Sequence, residues 1–161
     1  MSFWDRFRGG KASSQPGGSG KADYLSEGIA LEKQGDYDAA LTSYRLALRE
    51  RPNNVRVLEN MAIAFSKTGQ LDDAIRSYKR ALSIEPKLSG AHYGLAYLLL
   101  KRGEESDAAY HLEAFLMDAP TGPEAERWIG HAKQTLDQLH TRAPSDDDDG
   151  ITATELPETI E

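Results

Sequence analysis

Apolar and polar residues alternate with helical periodicity along the middle of the chain. In residues 55–67 the large apolar side chains return every three or four positions, so they share one face of a predicted helix. These apolar positions are Leu58, Met61, Ala62 and Phe65. A second run of the same periodicity covers residues 71–84, and Gly69 lies between the two runs. Because glycine readily adopts the left-handed conformation that ends many helices, the pattern predicts a helical hairpin.

The hairpin pattern recurs at a period of 34 residues. In each unit a glycine is followed by a small residue, a large one, a further apolar residue and a proline. The three sets are Gly35, Ala40, Tyr44, Ala47 and Pro52; Gly69, Ala74, Tyr78, Ala81 and Pro86; and Gly103, Ala108, Leu112, Phe115 and Pro120. The small residue lets two helices approach closely, and proline ends the unit because it has no amide hydrogen. A fixed period of this length predicts a stacked array in which each unit buries its apolar face against its neighbours.

This periodicity predicts six helices in three hairpins, followed by a seventh helix. The six are expected near residues 23–34, 37–50, 55–67, 71–84, 89–101 and 105–117. Residues 123–140 carry one apolar stripe, so this seventh helix is expected to cap the open end of the stack. Trp128, within the stripe, is expected to belong to the core rather than to a binding site. The predicted N-caps are Asn53-Asn54 before the third helix and Ser89 before the fifth.

The shared residues of the three units resemble those of the tetratricopeptide repeat family. The resemblance covers residues 21–122, as repeats at 21–54, 55–88 and 89–122. It implies an all-α fold, a right-handed α-solenoid of three helix-turn-helix repeats with a capping helix. It also implies that the first helices of the repeats line a concave groove for an extended peptide or a partner helix. The groove residues it implies are Leu25, Ile29, Glu32, Arg56, Glu59, Asn60, Ile63, Tyr93, Tyr97 and Leu100.

The groove residues argue against one known use of this family. Members that bind chaperone C-termini hold a carboxylate with lysine and asparagine in the first repeat and basic residues in the third. In this sequence Leu25 and Ile29 stand in the first repeat and Gly90 and Gly94 in the third, and only Asn60 fits. The groove is therefore predicted to be largely apolar and to take a hydrophobic or amphipathic ligand.

Charge is distributed unevenly along the 161 residues, whose net charge is −7. Residues 145–161 hold four aspartates and three glutamates without a basic residue, which is −7 alone, and residues 1–20 sum to +2. The remaining residues carry 16 basic and 18 acidic side chains, so the predicted stack is nearly neutral and no nucleic-acid partner is expected. Lysines recur at the ends of the first helices, where a cation suits the helix dipole, so they do not predict a phosphate site. These lysines are Lys33, Lys67 and Lys101.

Both ends of the chain are predicted to lie outside the stack. Residues 1–20 combine an aromatic and basic arm with a flexible linker, and the acidic residues 141–161 are predicted to be disordered. In a helix, Phe3, Trp4 and Phe7 would share a face that could anchor the protein weakly at a membrane surface or in a partner's groove. A frayed terminus, or binding of this arm in the protein's own groove, are the alternatives that the sequence leaves open.

The sequence offers little chemistry for catalysis. No cysteine is present, the four histidines lack the spacing of metal ligands on one helix face, and no nucleophile motif is found. His92 is expected in the core or half-buried. With no apolar run of membrane-spanning length and no apolar core of a secretory signal, a soluble cytoplasmic protein is expected.

The prediction is therefore a protein-protein interaction adaptor that is not an enzyme and uses no cofactor or metal. Its partner is expected to be another protein, and self-association into a homo-oligomer is a second interpretation. A membrane-peripheral, self-assembling scaffold anchored by the N-terminal aromatic residues is the alternative function.

Overall fold

The computed structural model describes residues 23–142, and this part of the chain is all helical. It consists of seven helices without strands. They are α1 (Tyr24–Lys33), α2 (Tyr37–Glu50), α3 (Val55–Lys67), α4 (Leu71–Ile84), α5 (Ser89–Arg102), α6 (Glu105–Met117) and α7 (Pro123–Arg142). All seven lie within two residues of their predicted positions, and α7 continues to Arg142, two residues past its predicted end.

The helices stack in chain order. α1 pairs with α2, α3 with α4 and α5 with α6, and each second helix also packs against the first helix of the next pair. α7 continues this arrangement, because it packs against α6 as α5 packs against α4. Predominantly sequential contacts of this kind are characteristic of a solenoid, in which each unit is stabilised by its neighbours.

Three equivalent glycines close the hairpins. Gly35, Gly69 and Gly103 have φ angles of 82°, 78° and 79°, which confirms the predicted left-handed helix ends. After Gly69, the Gln70 N–H donates to the Phe65 carbonyl at 2.8 Å. The same bond follows the other two glycines, so one local backbone geometry sets the sharp reversal of each helix pair.

The core lies between the two layers of helices. Ala40, Ala74 and Ala108 are completely buried, which agrees with the predicted close approach of helices at the small positions. The large residues one turn later are also buried: Tyr44, Tyr78 and Leu112. One apolar cluster spans α1 to α6, and a second joins α5, α6 and α7 around Phe115. The capping helix therefore encloses the last apolar face of the stack, with Trp128 half-buried against it.

The predicted N-caps have different outcomes. Asn54 caps α3, because its side chain accepts a hydrogen bond from the Val57 N–H at 3.3 Å. The prediction for Ser89 is wrong: α5 begins at this residue, Leu88 is the N-cap, and no side chain caps the helix. Burial holds α5 in place instead, since nine of its residues are buried.

Among residues 23–142, no helix combines the length and apolar character needed to cross a bilayer. The predicted N-terminal arm, including Phe3, Trp4 and Phe7, lies outside the described residues, as does the acidic sequence from residue 143 onward.

Candidate functional site

The first helices of the second and third pairs face a common cavity of about 390 Å³. α3 and α5 form its floor and α7 supplies a further wall. Its lining residues are Ile63, Ser66, Lys67, Tyr78, Tyr93, Gly94, Tyr97, Leu98, Lys101 and His131. A volume of this order falls in the range of about 300–1,000 Å³ that is usual for ligand pockets. We call this feature the α3–α5–α7 cavity.

Aromatic side chains give the α3–α5–α7 cavity its shape. The rings of Tyr93 and Tyr97 lie 4.7 Å apart between centroids, and Tyr97 stacks on His131 at 5.1 Å with an interplanar angle of 4°. The Tyr93 and Tyr97 hydroxyls lie 2.8 Å and 2.9 Å from His131 Nδ1, and the Tyr97 hydroxyl is 3.1 Å from Thr135 Oγ1. These bonds hold the phenol ends against α7 and leave apolar ring surface to form the cavity wall.

Burial raises the pKa of the Tyr93 phenol above its ordinary value, and its hydrogen bond with Tyr97 adds to the shift. The hydroxyl therefore keeps its proton at neutral pH. A neutral, protonated phenol suits structural bonding rather than acid-base chemistry.

The charged groups in the cavity wall are cations. Lys67 and Lys101 line it near the C-terminal ends of α3 and α5, and no carboxylate is among the lining residues. Neither lysine forms a salt bridge with a carboxylate of residues 23–142. Arg102, next to Lys101, is instead paired with Asp72 at 3.0 Å and Glu104 at 2.8 Å. The cavity thus combines an apolar, aromatic floor with two lysines at one end.

Three of the ten predicted groove residues meet in this cavity: Ile63, Tyr93 and Tyr97. Ile63 is only 4% exposed and Tyr93 only 5%, so these two contribute mainly to packing. Tyr97 is half-buried and reaches the cavity from α5. Its position makes it the most accessible of the three for a ligand.

The other seven predicted residues lie outside the cavity lining. Leu25, Ile29 and Leu100 are half-buried and pack against the larger apolar cluster. Glu32 accepts a hydrogen bond from the Tyr44 hydroxyl at 2.7 Å, Glu59 is half-buried and Arg56 is exposed. Their membership of one continuous binding surface remains a prediction.

Asn60 is a polar residue within the apolar environment of α3. Its side chain is 2% exposed, and its Nδ2 finds no hydrogen-bond acceptor among residues 23–142. It lies three residues before Ile63 and therefore on the same helix face as the cavity. A buried amide donor without an acceptor is costly. Because Asn60 is not among the lining residues, the structure does not place this donor at the cavity surface.

Sequence reasoning missed the contribution of α7 to the cavity. His131 and Thr135 belong to the predicted capping helix, and their partners in α5 are distant in sequence. The Tyr93–His131 and Tyr97–Thr135 contacts each span 38 residues, and the Tyr97–His131 contact spans 34. Offsets of similar size along both helices indicate that α7 runs parallel to α5, as the first helix of another repeat would.

A second cavity, of about 400 Å³, lies on the opposite side of the stack between α4 and α6. His92 and His111 meet there with their Nδ1 atoms 2.8 Å apart, and His92 Nε2 lies 2.8 Å from the Pro86 carbonyl. Because a carbonyl only accepts, His92 donates through Nε2 and receives the His111 Nδ1–H at its own Nδ1. His92 is 9% exposed, as predicted for a core or half-core histidine.

The environment of His111 favours its neutral imidazole. Burial lowers the pKa of His111 to about 4, and the electrostatic influence of His92 is the second cause of this shift. Within residues 23–142, no three histidine or carboxylate side chains are placed to hold a metal ion together.

Comparisons with known proteins give the family. Two profiles described as tetratricopeptide repeat match the chain, over residues 25–89 and 67–127. The chain belongs to the tetratricopeptide repeat family. No curated protein sequence matches this TPR protein.

Solved structures share the fold of this TPR protein at low sequence identity. The type III secretion chaperone SycD of Yersinia enterocolitica, in complex with a peptide of the translocator YopD, is 19% identical, with a TM-score of 0.70 over 75% of this chain and 92% of SycD. PcrH, in complex with the chaperone-binding region of PopD, is 16% identical, with a TM-score of 0.68 over 75% of this chain and 91% of PcrH. The TPR2B domain of yeast Sti1, in complex with pHsp70, is 23% identical, with a TM-score of 0.60 over 74% and 91%. The stack of α1–α7 is therefore an established TPR architecture.

Proposed function

We propose that this TPR protein is a non-catalytic adaptor that binds a peptide or an amphipathic helix of another protein. The α3–α5–α7 cavity is the centre of the proposed site, and the first helices of the repeats continue it along the concave face. The observation that carries the proposal is the combination of an open apolar cavity with aromatic walls whose hydroxyls are already tied to α7.

The chemistry of the cavity indicates what it binds. Tyr97 offers apolar ring surface to a large hydrophobic side chain, and aromatic rings contribute substantially to recognition at low conformational cost. Lys67 and Lys101 favour acidic residues on one side of that anchor.

The similar structures support recognition of a protein segment. SycD and PcrH are each described with part of another protein bound, a YopD peptide and the chaperone-binding region of PopD. They share the stack at a TM-score near 0.7, and TPR2B of Sti1 is likewise described in a complex. Binding without catalysis is thus a use that this fold has in several distant proteins.

A matched pair of tyrosine substitutions tests the proposal. Tyr97→Glu places a charge in the cavity, whereas Tyr110→Glu places the same charge on the opposite side of the stack, where Tyr110 is 65% exposed. Ile63 is a poorer choice for the test because it belongs to the buried core. Each tagged full-length protein is used to capture partners from the source cells, and circular dichroism establishes that both variants fold.

The expected result is a set of proteins captured by the unsubstituted chain and by Tyr110→Glu but lost from Tyr97→Glu. Direct titration of a purified captured protein should then give an affinity at least tenfold weaker for Tyr97→Glu, equivalent to about 1.4 kcal/mol. Equal capture by both variants would show that the cavity is not the recognition site.

A further inference from the structure

The two lysines of the α3–α5–α7 cavity stand at one end of the molecule. Lys67 is the last residue of α3, and Lys101 lies in the last turn of α5. Both side chains line the same cavity, so they form a cationic edge on it. No carboxylate of residues 23–142 neutralises them.

The helix α7 ends beside this cationic edge. Tyr93 bonds to His131, and Tyr97 bonds to both His131 and Thr135, so the parallel helices α5 and α7 pair at offsets of 34 to 38 residues. These offsets place residues 135–139 level with Lys101, and the last helical residue, Arg142, follows at the same end. The Arg142 Nη1 atom lies 3.2 Å from Glu105 Oε1 at the start of α6, which supports this placement.

The sequence that follows Arg142 is complementary to the edge. Residues 143–161 contain four aspartates and three glutamates and no lysine, arginine or histidine. The four aspartates are consecutive, at positions 146–149, and Ile151, Leu156 and Ile160 are interspersed among the later acidic residues. The segment thus combines the two features that the cavity favours in a ligand, negative charge and isolated apolar side chains.

We propose that residues 146–161 are an intramolecular ligand that folds back over Lys101 and Lys67 and competes with partners for the α3–α5–α7 cavity. This inference rests on the proposed function, because it assigns a regulator to the same site. The four aspartates stand four to seven residues after Arg142, so at about 3.3–3.6 Å per residue they can reach roughly 13–25 Å from the end of α7.

The N-terminal arm is a poorer match for this edge. It carries Arg6, Arg8 and Lys11 against a single acidic residue, Asp5, so its net charge has the same sign as the lysines. It also joins the described chain at Asp23 before α1, whereas the acidic segment follows α7, which contributes to the cavity wall.

Tethering makes even weak attraction effective. A short flexible connection produces an effective concentration in the millimolar range, so an intrinsic dissociation constant of about 0.1–0.5 mM would leave the cavity mostly occupied. The apparent affinity for a partner is then reduced in proportion to the fraction of cavities that are open, a decrease of roughly three- to tenfold. Because exposed charges provide the attraction, the competition should weaken as salt is added.

Paramagnetic labelling of the full-length protein tests the proposal without a partner. The chain contains no cysteine, so Gly150→Cys gives a single site for a nitroxide label. At low salt, the amide signals of Ser66, Gly94 and Lys101 should broaden by about twofold or more, consistent with a tethered ligand at millimolar effective concentration. Signals on the opposite side of the stack, at Tyr110 and Met117, should stay unchanged.

Three controls decide the outcome. Replacing Asp146, Asp147, Asp148 and Asp149 with Asn should abolish the broadening at unchanged chain length, and about 1 M salt should do the same because the Debye length falls to about 3 Å. The proposal would be overturned if the amide signals at the α3–α5–α7 cavity stay unaltered or if the signals on both sides of the stack broaden equally. Broadening that persists after the Asn substitutions would also overturn it. Broadening of isotope-labelled protein by a spin-labelled second copy would assign the contact to another molecule and also overturn it.

The competition with partners is measured separately. For a purified partner found by capture, the Asn-substituted chain should bind three- to tenfold more tightly than the unsubstituted chain at low salt and equally at high salt. If Tyr97→Glu abolishes partner binding while the label experiment shows no contact, the proposed function stands and this inference fails. If the label contacts the cavity while Tyr97→Glu captures the same proteins as the unsubstituted chain, the proposed function fails instead.

Discussion

The two ends of the stack are built from the same repeat but are stabilised differently. α1, α2 and α3 each begin with a side-chain cap, in which Asp23, Asp36 and Asn54 accept a hydrogen bond from a main-chain N–H. α4, α5 and α6 have no such bond at Gln70, Leu88 and Glu104. Burial varies with the helix rather than with the cap: α1 buries one residue, Gly28, and α5 buries nine, but the capped α3 buries eight and the uncapped α6 only three.

This difference follows from position in the stack. α5 lies between α4 and α6 and also contacts α7 through Tyr93 and Tyr97, so tertiary packing holds it on several sides. α1 packs against α2 and α3 within the described part of the chain. A helix with fewer neighbours depends more on its own termini, since packing supplies most helix stability in proteins. The cavity accordingly lies between α3 and α5, the two helices with the most buried residues.

The largest expected effect on stability is in α6, towards the C-terminal end of the stack. Phe115→Ala removes a completely buried ring that meets Tyr93 edge-on at 5.0 Å, and should lower the free energy of unfolding by about 3–5 kcal/mol. Urea unfolding followed by circular dichroism measures it. Tyr110→Ala, in the same helix but exposed, should change stability by about 0.5 kcal/mol or less. Similar losses for both variants would contradict the packing described for α6.

Gly28→Ala tests the closest approach at the N-terminal end. An added Cβ would lie 2.6 Å from Tyr44 Cδ1, so overpacking should lower the free energy of unfolding by about 1–3 kcal/mol. This loss should outweigh the gain of roughly 1 kcal/mol that alanine gives over glycine inside a helix. Gly130→Ala is the matched control in α7, where a Cβ meets nothing within 4 Å. Thermal unfolding should therefore shift in opposite directions for the two substitutions, and a shared direction would refute the close contact.

Exchanging caps between equivalent positions should sharpen the contrast between the two ends. Asp36 and Gln70 follow equivalent glycines, but only Asp36 caps its helix, with a bond of 3.1 Å from the Ala39 N–H. Asp36→Ala should cost about 1 kcal/mol, and Gln70→Asp should add up to about 1 kcal/mol by supplying the missing cap. Hydrogen exchange in the first turns of α2 and α4 reports each effect locally. A Gln70→Asp variant without added protection would show that α4 does not use a cap.

The smallest effect concerns the pH dependence of stability at His111 in α6. The pKa of His111 is about 4 in the folded protein against an ordinary value of 6.5, so the unfolded chain takes up the proton first as pH falls. The stability from neutral His111 is complete above pH 6.5 and is lost as pH falls towards 4. Because His111 is half-buried, solvent reduces this effect. His111→Gln should flatten the pH dependence of unfolding in that window, and an unchanged slope would exclude His111 as its source.

Much of the fold was predictable because its signals are local. The left-handed glycines, the apolar spacing within each helix and the Asn54 cap each involve residues a few positions apart, so each can be recognised without knowledge of the fold. The wrong prediction for Ser89 has the opposite cause. A serine near a helix start is a good cap on local grounds, but tertiary burial of α5 removes the need for one.

The sequence by itself determined the repeat, the positions of the seven helices and the sharp turns between them, because backbone conformation and helical periodicity act over short distances. Only the tertiary structure decided that α7 enters the cavity wall through His131, that His92 meets His111, and that Asn60 and Ile63 are buried while Tyr97 remains accessible. Those relations depend on how far one helix is rotated and shifted against another, and that geometry is set by the packing of many side chains together.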